Sequence, residues 1–267
     1  MDNLETILKS WVKSIISRPY RLWKYIGGIF ALIVFSTIAY ITTKKGKQIV
    51  NKILTDQIFF TGNLAIKIIS SVAFLIGAIT VIQLFERLSA LGALNLIAVI
   101  LDSVIVKELG PLLTGFVVIA RSGSAISAEI ATMMVNDEVS ALEILGIDTL
   151  YFIVFPRVAG ACISLMILTV YFIAMGLLGG FFVGNLYAGI TFTDFQTFIT
   201  SDISFADIIG AILKSAVFGV FISAISIYYG FQAFSTTQIP QVTTKSVVSS
   251  ISALFILDIL FTISFSL

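Results

Sequence analysis

Five apolar stretches, each about as long as a bilayer is thick, constrain this chain more than any motif in it. They cover roughly 63–85, 94–120, 152–183, 208–231 and 246–265. A helix crossing the hydrocarbon core needs about 20 predominantly apolar residues, because the core is about 30 Å thick. Composition agrees: 58% of the residues are apolar and 12% charged, with a mean hydropathy of +1.07, whereas soluble domains carry roughly a quarter charged residues. The fold class expected is an all-α integral membrane protein.

Ten of the 16 basic residues precede position 70, and they set the expected topology. Leu4, Ile7, Leu8, Trp11, Val12 and Ile15 recur at helical spacing with Glu5, Lys9 and Lys13 opposite, the pattern of an amphipathic helix lying in a membrane interface. No secretory signal is expected there, since a basic region, a short apolar core and a small-residue cleavage site are missing. Gly27–Ile41 is apolar but short for a span. Crossing there would place Lys44, Lys45, Lys47 and Lys52 opposite the basic residues that precede it, against the positive-inside tendency. It is therefore read as a re-entrant or interfacial segment with both flanks cytoplasmic. Five spans follow, with the N-terminus and the 121–151 and 232–245 connections inside and the C-terminus outside. The chain thus divides into an interfacial region over 1–60 and a five-span domain over 61–267.

Several chemistries are excluded. The chain has no histidine, one cysteine (Cys162) and no glycine-rich P-loop. Histidine-based catalysis and an internal disulfide are impossible, and nucleotide hydrolysis by this chain alone is not expected.

Polar residues inside the apolar runs are then the informative ones. Leu94–Ile130 carries Lys107, Glu108, Pro111 and Arg121. A charge at the bilayer centre costs about 2.5–3.5 kcal/mol on insertion scales, so it usually faces a bundle interior or a water-filled cavity. Neighbours on a helix point about 100° apart, so Lys107 and Glu108 need not pair with each other. Gly110 and Pro111 are expected to break the backbone just beyond them. The 121–151 connection adds a short helix: Asn136 suits an N-cap, Asp137 and Glu138 suit a first turn, and Gly146 suits the position after the last turn. Val139, Leu142 and Leu145 form an apolar side flanked by Glu138 and Glu143. Such a helix fits a cleft in a cytoplasmic partner or lies on the bilayer surface.

At these residues the chain resembles the MlaE-type permeases, the membrane subunits of ATP-binding-cassette lipid transporters that work with MCE-domain proteins. "KELGPLLTGFVVIARSGSAISAEIATM", "EVSALEILGID", "FPR", "LLGGFFVG", "KSAVFG", "YYGFQA" and "TTKSVV" occur in the family's order between about 60 and 267. Two departures stand out. Asp148-Thr149 replaces Asp-Pro, and "STTQIPQVTTK" replaces a glycine-rich loop before the last span.

The resemblance implies a homodimer of five-span subunits in the inner membrane, with the N-terminus cytoplasmic and the C-terminus periplasmic. It implies cytoplasmic ATPase subunits below and an MCE-domain protein on the outer face. Phospholipids would move through a lipid cavity at the dimer interface, with no nucleic acid involved. ATP and magnesium would belong to the ATPase and no cofactor to this chain. The short helix, about 136–145 and comprising Asn136, Asp137, Glu138, Val139, Leu142, Glu143 and Leu145, would be the coupling helix. Lys107, Glu108 and Leu112, with Leu75, Ile76, Ile79, Ile82 and Gln83 of the first span, would line the cavity. Two rival classes are an ion-coupled carrier using Lys107, Glu108, Asp102 and Asp258, and an intramembrane enzyme. The first lacks an evident inverted repeat, the second a catalytic constellation.

Overall fold

The computed structural model describes residues 25–43, 46–93, 96–189, 191–193, 195–197 and 203–266. The expected amphipathic helix over Leu4–Ile15 lies outside these residues. Those described are almost entirely helical, and none is in a strand. The elements are α1 (Tyr25–Thr42), α2 (Lys47–Ala90), α3 (96–135), α4 (Glu138–Ile144), α5 (150–188), α6 (Phe205–Gly230) and α7 (Ile239–Ser266). Six of them, all but α4, are long and apolar enough to cross a membrane.

Close backbone approach organises the bundle. A Cβ on Gly77 would run into the Gly176 carbonyl, and one on Gly179 into the Phe74 carbonyl. Between helices in lipid there is little hydrophobic drive, so small residues that let backbones touch supply the packing. Contacts along the α2–α5 seam rise together in number, which makes the two helices parallel. Ser164 donates to the Ile58 carbonyl at 3.3 Å, Ser70 to Tyr171 Oη at 3.0 Å, and Gly180 sits against Val81. α6 returns antiparallel, with Gly219 on the backbone of Ala161 and Cys162. α7 then runs back along α6, from Ser246–Ser226 at 3.2 Å to Asp258–Lys214 at 2.7 Å. Phe172, Phe218, Leu165, Leu168 and Leu254 fill the centre.

The backbone around Pro111 differs from the expected break. α3 continues from 96 to 135 and absorbs the proline with wider π-helical turns at Asp102–Leu109 and Ile119–Gly123. Proline has no N–H to give the carbonyl four residues back, and its ring crowds that carbonyl. Here that group is the Lys107 carbonyl, and it accepts from Lys214 Nζ at 3.3 Å. A third π turn, Leu150–Val154, precedes Phe155-Pro156 in α5.

α1 is one unbroken helix, yet both its ends lie at the same end of the bundle. Tyr25 packs on Tyr228 and Tyr229 where α6 finishes, at 5.2 and 5.9 Å between ring centroids. Tyr40 stacks on Phe155 at 4.0 Å where α5 starts. By length and composition α1 is nevertheless a sixth helix able to cross a membrane. α2 has 44 residues, about 66 Å at about 1.5 Å each, so it extends well beyond the expected 63–85 span, toward α1.

Candidate functional site

Lys107 and Glu108 face different partners. Lys107 Nζ lies 2.7 Å from Asp102 Oδ2, one turn back on the same helix, and 3.1 Å from Asp207 Oδ1 in the first turn of α6. Glu108 Oε2 accepts from Lys214 Nζ at 2.7 Å, and Thr262 of α7 donates to its other oxygen at 3.0 Å. Lys214 also reaches Asp258 Oδ1 at 2.7 Å. The ammonium donates to Glu108 and to the Lys107 carbonyl and is ion-paired with Asp258. Two hydrogen bonds and two carboxylates are why a lysine with a side chain only 6% exposed is tolerated within α6. The π turn over Asp102–Leu109 shifts the register by which α3 presents these groups, and such turns cluster at functional sites.

A pocket of about 230 Å³ opens beside the network. Lys107, Glu108, Asp207 and Lys214 supply its charged lining, and Gly210, Ala211 and Phe261 its apolar walls. It sits toward the end of the bundle opposite α4. Asp207 is near the start of α6, and Asp258 is in the last third of α7.

Of the other expected cavity residues, the structure brings none to this pocket within the single chain. Leu75 and Ile79 project outward from α2, 58% and 51% exposed, on a stripe that includes the exposed Gln83. Ile82 is half-buried against Val183 and Gly184. Ile76 and Leu112 pack onto the central core. The Leu75–Ile79–Gln83 stripe is an open apolar face with one amide. Sequence reasoning passed over Lys214, Asp207 and Thr262, and took up Asp102 and Asp258 only for an ion-coupled carrier. The available signal was the same one that exposed Lys107: a lone lysine in an apolar run.

α4 is capped differently from expectation. Asn136 closes the preceding helix, and its side-chain amide donates to Glu138 Oε1 at 3.2 Å. Asp137 takes the N-cap position, with φ at +59°. The end of α4 follows expectation: Gly146 has φ +72°, its N–H reaches the Glu143 carbonyl, and Ile147 N–H reaches the Leu142 carbonyl. These two bonds form a Schellman motif. The apolar side divides. Val139 is buried and Leu142 packs beside it on Ile126, Ile130, Ile153 and Ile227, so both hold α4 to its own bundle. Leu145 does not join them: it and Ile144 are 73% and 86% exposed. Arg157 braces this end, donating to Glu129 Oε1 at 2.6 Å and to the Ile153 carbonyl at 2.9 Å.

Comparison with known proteins places this architecture. The family described as Permease MlaE matches residues 54–264, which takes in α3, α4 and every residue of the charged network. The chain belongs to the MlaE permease family. A probable ABC transporter permease protein of Rickettsia typhi is 32% identical over 236 residues, 88% of this chain and 90% of the relative. The intermembrane phospholipid transport system permease protein MlaE of Haemophilus influenzae is 29% identical over 212 residues, 79% of this chain and 81% of the relative. The Arabidopsis thaliana chloroplastic protein TRIGALACTOSYLDIACYLGLYCEROL 1 is 29% identical over 204 residues, 76% of this chain and 58% of the relative. As an MlaE-family permease, the chain is a multi-pass transport component of the membrane.

Proposed function

We propose that this chain is the permease subunit of an ATP-binding-cassette transporter that moves phospholipids between the inner membrane and the outer envelope. In this reading two copies form a dimer and enclose a lipid cavity. A separate ATPase docks in the cytoplasm, and an MCE-domain protein sits on the outer face. The charged pocket carries the proposal. It offers ammonium and carboxylate groups side by side, Lys107 and Lys214 against Glu108 and Asp207, within a bundle whose surroundings are apolar. A zwitterionic headgroup needs both signs, and its acyl chains need the apolar surface that Leu75 and Ile79 expose. Lys107 and Glu108 thus combine the two readings open for them: ion pairs with other helices, and pocket lining.

For coupling, Ile144 and Leu145 are the outward apolar pair of α4, flanked by Glu138 and Glu143. They suit a cleft in the ATPase, while Val139 and Leu142 anchor the helix from behind. The cytoplasmic side is then the α4 end, with the N-terminus there and the C-terminus periplasmic.

The test is co-purification with the ATPase together with lipid crosslinking from a photoreactive residue at Ile79 or Leu112. Ile144→Asp with Leu145→Asp is expected to abolish ATPase capture while the chain stays inserted and monodisperse. Crosslinking to phospholipid is expected from Ile79. Undiminished ATPase capture would overturn the docking role, and absence of lipid adducts would overturn the cavity.

A further inference from the structure

A large groove lies at the other end of the bundle from the charged pocket, between α1, α6 and α7. Its volume is about 1110 Å³, just above the roughly 300–1,000 Å³ usual for small-molecule sites. Its lining is graded. Lys245, Gln232, Ser249 and the tyrosines 25, 228 and 229 gather near the α6–α7 connection. Ile26, Phe30, Phe221, Ile256 and Leu257 line the remainder. From Lys245 to Ile256 is 11 residues of α7 by subtraction, a reach of about 16 Å at about 1.5 Å per residue.

Two details at the polar end ask for a ligand with a head. Lys245 is exposed and forms no ion pair among the described residues. Tyr25 Oη is buried beside the hydroxyls of Ser249 and Tyr229, themselves bonded at 2.9 Å, and has no hydrogen-bond partner of its own among the described residues. Toward the middle of the bundle the groove is walled by side chains open to the surroundings, Phe30 at 50% and Ile256 at 60% exposed. One cation and a cluster of hydroxyls at the membrane surface, with an apolar slot running inward, reproduce the polarity of a phospholipid standing in its leaflet. An ordinary apolar face between helices would have neither the unpaired ammonium nor the graded lining.

We infer that this groove binds a phospholipid of the leaflet at the α4 end. Its phosphate rests on Lys245, its glycerol region lies against Tyr25, and one acyl chain lies between α1 and α7. The site is separate from the charged pocket and does not depend on transport occurring there. The bound lipid would hold the start of α1 against the bundle, since Tyr25, Ile26, Ile29 and Phe30 line the groove.

The experiment uses the full chain in membranes with two probes carrying the same photoreactive acyl chain: a phosphatidylglycerol and a diacylglycerol without phosphate. Adducts are mapped by peptide mass spectrometry. Phosphatidylglycerol adducts are expected to concentrate on 25–30, 221–229 and 248–257. Lys245→Ala is expected to lower them about fivefold, which corresponds to the ~1 kcal/mol that a basic side chain contributes at an anionic surface. It should leave diacylglycerol adducts unchanged. Ser252→Trp, at an exposed lining position, is expected to lower both; if it fails to fold, the Lys245→Ala comparison still decides. Adducts no denser on 25–30, 221–229 and 248–257 than on the Ile259 face, or indifferent to Lys245→Ala, would overturn the site. So would a Val248→Cys variant that forms disulfide-linked dimers quantitatively, because a second copy would then fill the groove.

Discussion

Lys214→Met should be the most damaging single substitution in the charged network. The lysine donates to Glu108 at 2.7 Å and to the Lys107 carbonyl at 3.3 Å, and its ammonium lies 2.7 Å from Asp258 as an ion pair. Removing it strands two carboxylates that it had neutralised. Breaking a buried pair from one side typically costs about 3–5 kcal/mol. Glu108 has a side chain 37% exposed, against 16% for Asp258, so solvent screens much of its share. That places the expected loss near the lower bound, about 3 kcal/mol. At about 2–4 °C per kcal/mol for a chain of this size, the midpoint should fall by roughly 6–12 °C. The assay is thermal loss of the monodisperse species on size-exclusion chromatography in detergent, with identical heating times because such unfolding is commonly irreversible. Lys214→Met, Glu108→Gln and Asp258→Asn combined should recover most of the loss, since replacing a whole buried ionic set with neutral groups is often tolerated. A Lys214→Met chain that melts within about 2 °C of wild type, or a triple variant no better than the single one, would refute the reasoning.

Other perturbations follow from the same geometry. Glu108→Gln should fold nearly normally, because Lys214 keeps Asp258 and the Lys107 carbonyl. It should nevertheless lower phospholipid crosslinking from Ile79 and transport; wild-type levels of both would remove Glu108 from the cavity. Gly77→Ala drives a methyl into the Gly176 backbone and should cost at least the roughly 1–3 kcal/mol typical of overpacking, read as loss of monodisperse protein. Gly62→Ala meets no atom within 4 Å and should be neutral or slightly stabilising by helix propensity; equal effects from the two glycines would argue against the α2–α5 seam. With Cys162 replaced, cysteines at Gly46 and Thr237 should be labelled from one side of the membrane and a cysteine at Thr193 from the other, whereas labelling of Gly46 with Thr193 would make α1 a crossing helix.

Much of this architecture was legible because hydrophobic length is a one-dimensional signal. The five expected spans correspond to α2, α3, α5, α6 and α7, and α1 is a sixth helix long and apolar enough to cross. The charges at 107 and 108 were legible as interior groups for the same energetic reason. Their distant partners were not, because Glu108 lies 106 positions from Lys214 and 154 from Thr262, Asp207 is about as remote from Lys107, and pairing over such separations depends on how helices cross. Proline misled at 111, where sequence argues for a break. The π turn and the Lys214 ammonium accommodate it instead, and both are tertiary facts. In α4 the heptad-like placement of Val139, Leu142 and Leu145 suggested one outward face. A helix of seven residues that ends at Gly146 leaves Leu145 on the cap, turned away from the other two.

Whether phospholipid movement through this chain is driven by a nucleotide-hydrolysing partner is the central claim, and reconstitution measures it directly. Proteoliposomes would hold this chain with its P-loop ATPase, a fluorescent phospholipid and no imposed ion gradient. Movement of the lipid is expected only with ATP and the ATPase present, and is expected to be lost with Ile144→Asp and Leu145→Asp. Movement without the ATPase, powered by a proton or sodium gradient, would contradict the account and assign Lys107, Glu108, Asp102 and Asp258 to an ion-coupled carrier.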